Sequence, residues 1–503
     1  MRWFAAKWIP AVTLAVVIGA AAFAWGARRA PIRATSIPAV TNSSHGRLSP
    51  DKDPRLKGAY RFTENGWIYV HLQGTPEEIG FQHGYLLASE IEDAFKAVRL
   101  EDVHNTRHDW AFFREAAHNM LWPKIYPEYQ AELQGIVEGL HARGVKMDLD
   151  DIVALNAFEE LPGYYVPWYD AQHKQQEAAA GFKPASPDPI SLEHCSAFVA
   201  TGSYTKKHDI VMAHNNWTTY VDGERWRIMF DIVPEHGFRM LMDGFPGVIT
   251  SDDDFVINYD GIMATETTIS DFHGWDPNGI PEFARSREAI QYATSIPDYV
   301  KLINKGNNGG YANDWLLGDR KTGEIARFEQ GLKHTRLWTT KDGYFVGSNF
   351  PSDPEVTKDE TTFNVDDMSN SANARHVRWD ELMKQYKGKI DTKLAEKFEG
   401  DHYDSYEKKI DPDERTLCGH IDNSPRGTHP YEPFGAVQSK VTDSEMVAHM
   451  TLIAHLGHPG GESFYVKPFL KAHPEYDWEK SILRDMPAYP WTTFLAGEQG
   501  GAK

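Results

Sequence analysis

The sequence predicts an α+β fold in which antiparallel sheets are layered on helices. Three observations carry this reading. Residues 77–161 are mainly helical in pattern. After Cys195 the texture changes to short β-rich runs joined by turn signals. Helical patterns then recur at 281–305, 373–386 and 443–456, interleaved with further strands. No internal repeat is present.

Taken in order, GWIYVHLQG (66–74) reads as a strand, and Thr75-Pro76-Glu77-Glu78 opens a helix. Thr75 caps, Pro76 suits the first turn, and Glu78 completes a capping box. Leu133, Ile136, Val137 and Leu140 recur at helical spacing. Residues 170–194, DAQHKQQEAAAGFKPASPDPISLEH, are polar and proline-containing, without apolar periodicity, and read as a linker. CSAFVATGS and DIVMAHNNW follow as paired strands. RWRIMFDIV, FRMLMDG, DFVINYDG and IMATETT continue the meander, and NDWLLGDRKTGEIARFEQG is a hairpin about Lys321-Thr322-Gly323. The division expected is 57–169 as an N-terminal, mainly helical part, 170–194 as a linker, and 195–503 as the catalytic part.

The chain has 503 residues, 41% hydrophobic and 12% aromatic, which is globular rather than disordered. Its 52 basic and 72 acidic residues leave a net charge of −20. That balance repels phosphate backbones and excludes a nucleic-acid partner. Residues 1–30 read as an export segment. Arg2 and Lys7 precede about twenty largely apolar residues (8–27), and Arg28 and Arg29 follow. A cleaved signal peptide and a membrane anchor both remain open, and residues 31–56 form a linker. The body of the chain is expected in the periplasm, the lumen or the extracellular space.

Only two cysteines are present, Cys195 and Cys418. A disulfide between them is one reading. The other begins from position. Suppose the first hairpin is symmetric about residues 204–208, so that Ser203 pairs with Asp209. Cys195 then falls opposite Trp217, and His214, Asn215, Asn216 and Trp217 gather at the same end. Cutting the bond between His194 and Cys195 would give the cysteine a free α-amine. That amine, with a reference pKa of about 7.7–8.0, is nearly matched to a thiol of about 8.5. It can take the thiol proton during attack and return it to the leaving group. The polar stretch 170–194 supplies the accessible segment such a cleavage needs.

HCSAFVATGS, DIVMAHNNW, FPGVITSDDDFVINYDGIMATETTI and GGYANDWLLGD together resemble the phospholipase B-like proteins. These are N-terminal-nucleophile (Ntn) hydrolases, related to penicillin acyltransferases and bile salt hydrolases. The resemblance covers roughly residues 57–470 and is densest over 195–350. It implies an Ntn-hydrolase αββα sandwich made as a precursor, with Cys195 cutting the bond after His194 and then serving as nucleophile. It further implies that Asn313 stabilises the oxyanion, that His214 and Trp217 line the pocket, and that Arg375 lies near the thiol. Asn215, Asn216, Thr250 and Ser251, within the matching motifs, are assigned to the substrate pocket. The implied activity is hydrolysis of an acylated, lipid-like substrate. An N-acyl amide hydrolase or acyltransferase, and a non-catalytic membrane-tethered lipid-binding protein, are the alternatives. The chain departs from the animal members in lacking a disulfide framework.

No cofactor and no metal are expected. Asp252, Asp253 and Asp254 lack the alternate spacing of a calcium loop and read as a solvated turn. The 22 histidines include no H-E-x-x-H, and HLGHPGG is short of ligands. Cys418 reads as a small buried apolar residue.

Overall fold

The computed structural model describes residues 53–179, 195–252 and 255–500. The export segment, residues 31–52 of the first linker, His194, Asp253 and Asp254 lie outside them. Among the described residues no helix is long and apolar enough to cross a membrane.

The strands in chain order are β1 (Tyr60–Glu64), β2 (Trp67–Gly74), β3 (Ser196–Thr201), β4 (Val211–Thr219), β5 (Ile228–Pro234) and β6 (Met240–Gly244). Then come β7 (Val256–Asn258), β8 (Ile262–Thr268), β9 (Asn313–Asp319), β10 (Glu324–Gln330), β11 (Thr335–Thr340) and β12 (Gly343–Gly347). A small pair, β13 (Tyr403–Asp404) and β14 (Lys409–Ile410), precedes β15 (Phe434–Asp443), β16 (Thr451–Leu456) and β17 (Thr492–Leu495). A nine-stranded sheet has the order β1-β2-β5-β6-β7-β8-β9-β10-β11, and a six-stranded sheet the order β12-β3-β4-β15-β16-β17. Within these sheets β2 and β5 pair in parallel and the other described pairs are antiparallel.

Strand alternation builds the layers. Ile68, Val70 and Leu72 of β2 pack on helices, while Trp67 and Tyr69 face the six-stranded sheet. On β3, Ala197 and Val199 join that inter-sheet core, and Phe198 and Ala200 pack outward with Trp379 and Phe398. Successive residues on a strand point to opposite faces, so two sheets with doubly apolar strands require a third and a fourth layer. The result is the expected αββα sandwich. Residues 57–169 are not a separate unit, because β1 and β2 extend the sheet that β5–β11 form. A sequence window sees the helices of that part but not the parallel pairing that joins it to β5.

The helical layer on the larger sheet includes Pro76–Leu86 and Pro127–Ala142, the first with the expected capping box. Their backbones touch: a Cβ on Gly84 would run into the Ile136 carbonyl, and one on Gly139 into that of Phe81. Gly84→Ala is therefore expected to cost about 1–3 kcal/mol by overpacking, despite its gain in helix propensity. The urea midpoint should fall with the slope unchanged.

Two expectations need correction. Residues 170–179, read as linker, continue the helix Val166–Ala179. Their Gln, Lys, Glu and Ala residues are good helix formers, and the ring of His173 stacks on Tyr169 one turn back. Residues 443–456, read as helix, hold one short helix, Ser444–Ala448, and then β16. Met450 has φ +49, which ends the helix, and pairing with β15 and β17 makes the rest a strand.

Candidate active site

β3 and β4 pair with Ser196 opposite Asn215 and Ala197 opposite His214. The symmetric hairpin expected from sequence is thus one residue out of register. The connection contains the 3₁₀ turn Gly202–Tyr204, and Thr205 bridges to Ile390 instead of extending the ladder. Extrapolated, the register sets Cys195 beside Asn216 rather than Trp217.

One residue of register decides which side chains meet the thiol. Met212 lies in the inter-sheet core, and Val211 and Ala213 in the outer one. His214 and Asn216 accordingly project between the sheets. Asn215 and Trp217 project to the outer helical layer, where Asn215 donates to the carbonyls of Glu399 (2.7 Å) and Leu417 (2.8 Å). Asn215 is a structural staple rather than a pocket residue. β15 carries a bulge at Val437, opposite Asn216 and Trp217.

Cys195 is 1% exposed and has φ +78. Its Sγ lies 3.8 Å from Glu266 Oε1 on β8, and Tyr311 Oη donates to the same oxygen at 3.0 Å. Ligand atoms of Cys195, His214 and Glu266 all fall within 4.8 Å of one another. Cys195 and Cys418 are not joined by a disulfide, so the disulfide reading does not hold.

Arg375 sits on the helix Ser371–Gln385 and is fully buried. Its Nη1 donates to the Cys195 carbonyl (2.6 Å), Nη2 to Asn349 Oδ1 (2.8 Å) and Nε to Ser371 Oγ (3.0 Å). Its guanidinium stacks 4.3 Å over the Trp217 ring. Asn349 in turn donates to the Thr268 carbonyl at the end of β8 (2.8 Å). One arginine therefore ties the cysteine backbone to both sheets. Trp217 acts from behind, as the platform for that arginine.

Asn313 begins β9 opposite Thr268, while Trp315 pairs with Glu266. Asn313 and Glu266 thus share a face as diagonal neighbours, roughly 7 Å apart at Cβ. Both side-chain polar atoms of Asn313 are buried without a hydrogen-bond partner among the described residues. Ser251 accepts from the Phe255 amide and donates to Asp243 (3.1 Å), which is ion-paired with Lys440 at 3.1 Å. Lys440 is the cross-strand neighbour of His214. Thr250 lies 3.2 Å from Ser286 and belongs to the packing of the helix Glu282–Tyr292. Asp252, expected in a solvated turn, is buried with φ +65.

Sequence reasoning missed Glu266, Tyr311 and Asn349. The first two lie inside the quoted runs IMATETT and GGYANDW, where a lone acid in a β run was the available signal. Asn349 carried none. Cys418, read as apolar, is buried but flanked by the imidazoles of His402 and His420.

A profile for the family described as Phospholipase B matches residues 100–491. The chain belongs to the phospholipase B family. It is 24% identical over 346 residues to the "Putative phospholipase B-like 1" of Caenorhabditis elegans, covering 60% of this chain and 58% of that one. Against the "Putative phospholipase B-like 2" of Mus musculus identity is 21% over 327 residues, 56% and 53% of the two chains. Against the "Phospholipase B" of Crotalus adamanteus it is 25% over 444 residues, 76% and 75%. The alignments with the worm and mouse relatives thus span little more than half of those proteins' length. The family match begins within the N-terminal helical layer and includes Cys195, His214, Glu266, Asn313 and Arg375, in agreement with a single sandwich.

Beyond Asn216, Thr218 and Thr219 of β4 enter the wall of a cavity of about 590 Å³. Two to three residues of strand place it on the order of 10 Å from the thiol position. Seven carboxyl side chains line it, and no Lys or Arg among the described residues does. Burial pushes Glu159, Asp222, Glu432 and Glu479 up, Glu479 to about 9 with help from Glu432 and Asp222. Glu101 and Asp102 are raised for the same reason, each with Asp222 adding.

A raised carboxyl is protonated in the folded chain and ionised in the unfolded one between its two pKa values. Its stabilising effect is complete below the unfolded value and is lost as pH rises toward about 9 for Glu479. Glu479→Gln is expected to leave stability unchanged near pH 4 and to raise it by about 2–4 kcal/mol at pH 8. Denaturant midpoints at the two pH values check this.

Proposed function

We propose that the chain is an exported, self-cleaving cysteine hydrolase of the Ntn type, acting on the ester or amide bond of an acylated, lipid-like substrate. The observation that carries this reading is the setting of Cys195. Its thiol is buried beside Glu266 and His214, its carbonyl is clamped by Arg375, and it directly follows residues 180–194.

In the precursor, Glu266 or His214 accepts the thiol proton, and Sγ attacks the carbonyl carbon of residue 194. The C–S bond forms, the C–N bond breaks, and the proton goes to the departing nitrogen of Cys195. Water then hydrolyses the thioester, leaving a carboxylate on residue 194 and a free thiol and amine on Cys195. The φ of +78 favours this step. A left-handed conformation costs a non-glycine residue about 1–2 kcal/mol, and the cost disappears once no peptide precedes it.

In the mature enzyme the α-amine takes the thiol proton as Sγ attacks the substrate acyl carbon. Asn313, with its amide uncommitted, donates to the oxyanion, worth roughly 2.7–4 kcal/mol per donor. The amine returns the proton to the leaving alcohol or amine, and water resolves the acyl-thioester. A cationic group entering the cavity beyond β4 would lower the pKa of its buried acids and ionise them as it binds, which favours a substrate whose polar part carries positive charge. Export rests on the apolar run of residues 8–27 flanked by Arg2, Lys7, Arg28 and Arg29.

Mature protein should run as pieces of roughly 22 and 35 kDa before any signal removal, from a chain of 57.0 kDa. The larger should begin Cys-Ser-Ala-Phe on N-terminal sequencing. A panel of matched acyl esters and amides, with cationic and anionic head groups, identifies the substrate. A fully active, undivided chain would overturn the Ntn assignment in favour of a thiol, imidazole and carboxylate working within an intact backbone.

A further inference from the structure

We infer that Cys418, His402, His420 and Glu462 form a structural binding site for one zinc-type divalent cation, on the outer side of the six-stranded sheet behind Trp217.

The four residues come from three segments. His402 follows the helix Thr392–Glu399, Cys418 and His420 precede β15, and Glu462 follows β16. The backbone amide of Cys418 donates to the Asp401 carbonyl (3.1 Å), which lays the first two segments side by side. Gly460 brings in the third, since a Cβ there would collide with the His402 ring. One ligand atom from each residue falls within 4.8 Å of every other.

The distances match a coordination polyhedron. With Zn–N of about 2.05 Å and Zn–S of about 2.3 Å, a tetrahedron sets two nitrogens about 3.3 Å apart, and nitrogen and sulfur about 3.6 Å apart. Here His402 Nε2 and His420 Nε2 are 3.2 Å apart, and Cys418 Sγ is 3.6 Å from His420 Nε2. Glu462 Oε2 lies 3.7 Å from His402 Nε2. Two imidazole nitrogens aimed at each other and at a thiol make a poor hydrogen-bonded cluster, because each nitrogen offers either one proton or one lone pair. A cation shared among them satisfies all at once.

The surroundings agree. Cys418 and His420 are buried, whereas Glu462 is half exposed and gives an entry path. His420 Nδ1 lies 3.7 Å from Asp422, whose carboxylate is held by Tyr220 at 2.7 Å. An acid behind the far nitrogen of a ligating histidine orients the ring and raises its basicity. His458 packs 4.2 Å from the His420 ring, but its Nδ1 is committed to the Ala436 carbonyl. A thiolate with two imidazoles and a carboxylate is a donor set suited to zinc rather than to calcium or magnesium. Binding releases the Cys418 thiol proton to solvent.

The site bears on Trp217. Gly419, between two of the ligands, lies flat against the Trp217 ring, where no side chain fits. The cation would clip the strip that backs Trp217 and, through it, Arg375.

The test uses the purified full-length chain, with metal content by mass spectrometry and titration with Zn²⁺ and Co²⁺. The expected result is one metal per chain bound with a Kd below about 1 µM. The Co²⁺ form should show a sulfur-to-metal charge-transfer band and tetrahedral d–d bands. Both should be lost in Cys418→Ser and in His402→Ala, the second offered because His402 is less buried than Cys418. The band should persist in Cys195→Ala, and chelation should lower the melting temperature of the wild type but not of His402→Ala. Binding weaker than that limit, a charge-transfer band that survives Cys418→Ser, or one that follows Cys195 instead would each overturn the assignment.

Discussion

Cys195→Ala is expected to yield a single uncut chain and to abolish turnover. At a site that works through one covalent nucleophile, its removal costs on the order of 10⁶ in rate. The self-cleavage needs the same atom, so both readouts should fail together. Intact mass after purification reports the first, and single-turnover acyl release the second. Cys195→Ser should keep the geometry but react slowly, because a hydroxyl is far less ionised than a thiol at neutral pH. If Cys195→Ala were still divided between residues 194 and 195, an outside protease would be responsible. If the wild type were active and whole, the α-amine would have no part in the reaction.

The second large effect concerns Arg375. Arg375→Met keeps most of the buried volume but leaves the Cys195 carbonyl, Asn349 Oδ1 and Ser371 Oγ without their donor. Buried hydrogen bonds to a charged group contribute about 1.5–3 kcal/mol each, and stranding several acceptors costs more than their sum suggests. A loss of about 3–5 kcal/mol is expected in urea unfolding. Arg375→Lys should recover only part of it, since an ammonium lacks the planar fork that reaches three acceptors and stacks on Trp217. A positioning role predicts that the surviving folded fraction of Arg375→Lys cleaves itself slowly. A purely structural role predicts an unchanged cleavage rate in that fraction, which separates the two.

The layer class, the capping box at Thr75, most strand positions and the prominence of Cys195 were legible in the residue order, because each rests on local periodicity or local chemistry. Where the reading slipped, a distant partner had decided the outcome. The one-residue register error at β3–β4 came from Thr205 bridging to Ile390, nearly two hundred positions away in sequence. It moved Asn215 and Trp217 to the outer face and left His214 and Asn216 facing inward. Residues 451–456 became a strand because β15 and β17 offered ladders on both sides.

Sequence by itself determined that antiparallel sheets are layered on helices, and it marked a cysteine after a polar stretch as the residue to watch. Tertiary structure alone decided the company that cysteine keeps. Glu266, Tyr311, Asn349 and Arg375 come from four separated segments. The same holds for the Cys418 cluster, whose fourth member stands 44 positions beyond the cysteine. The physical reason is common to both. Periodicity records which face of its own element a side chain occupies, whereas hydrogen bonds and coordination distances depend on how elements are set against one another, and packing fixes that.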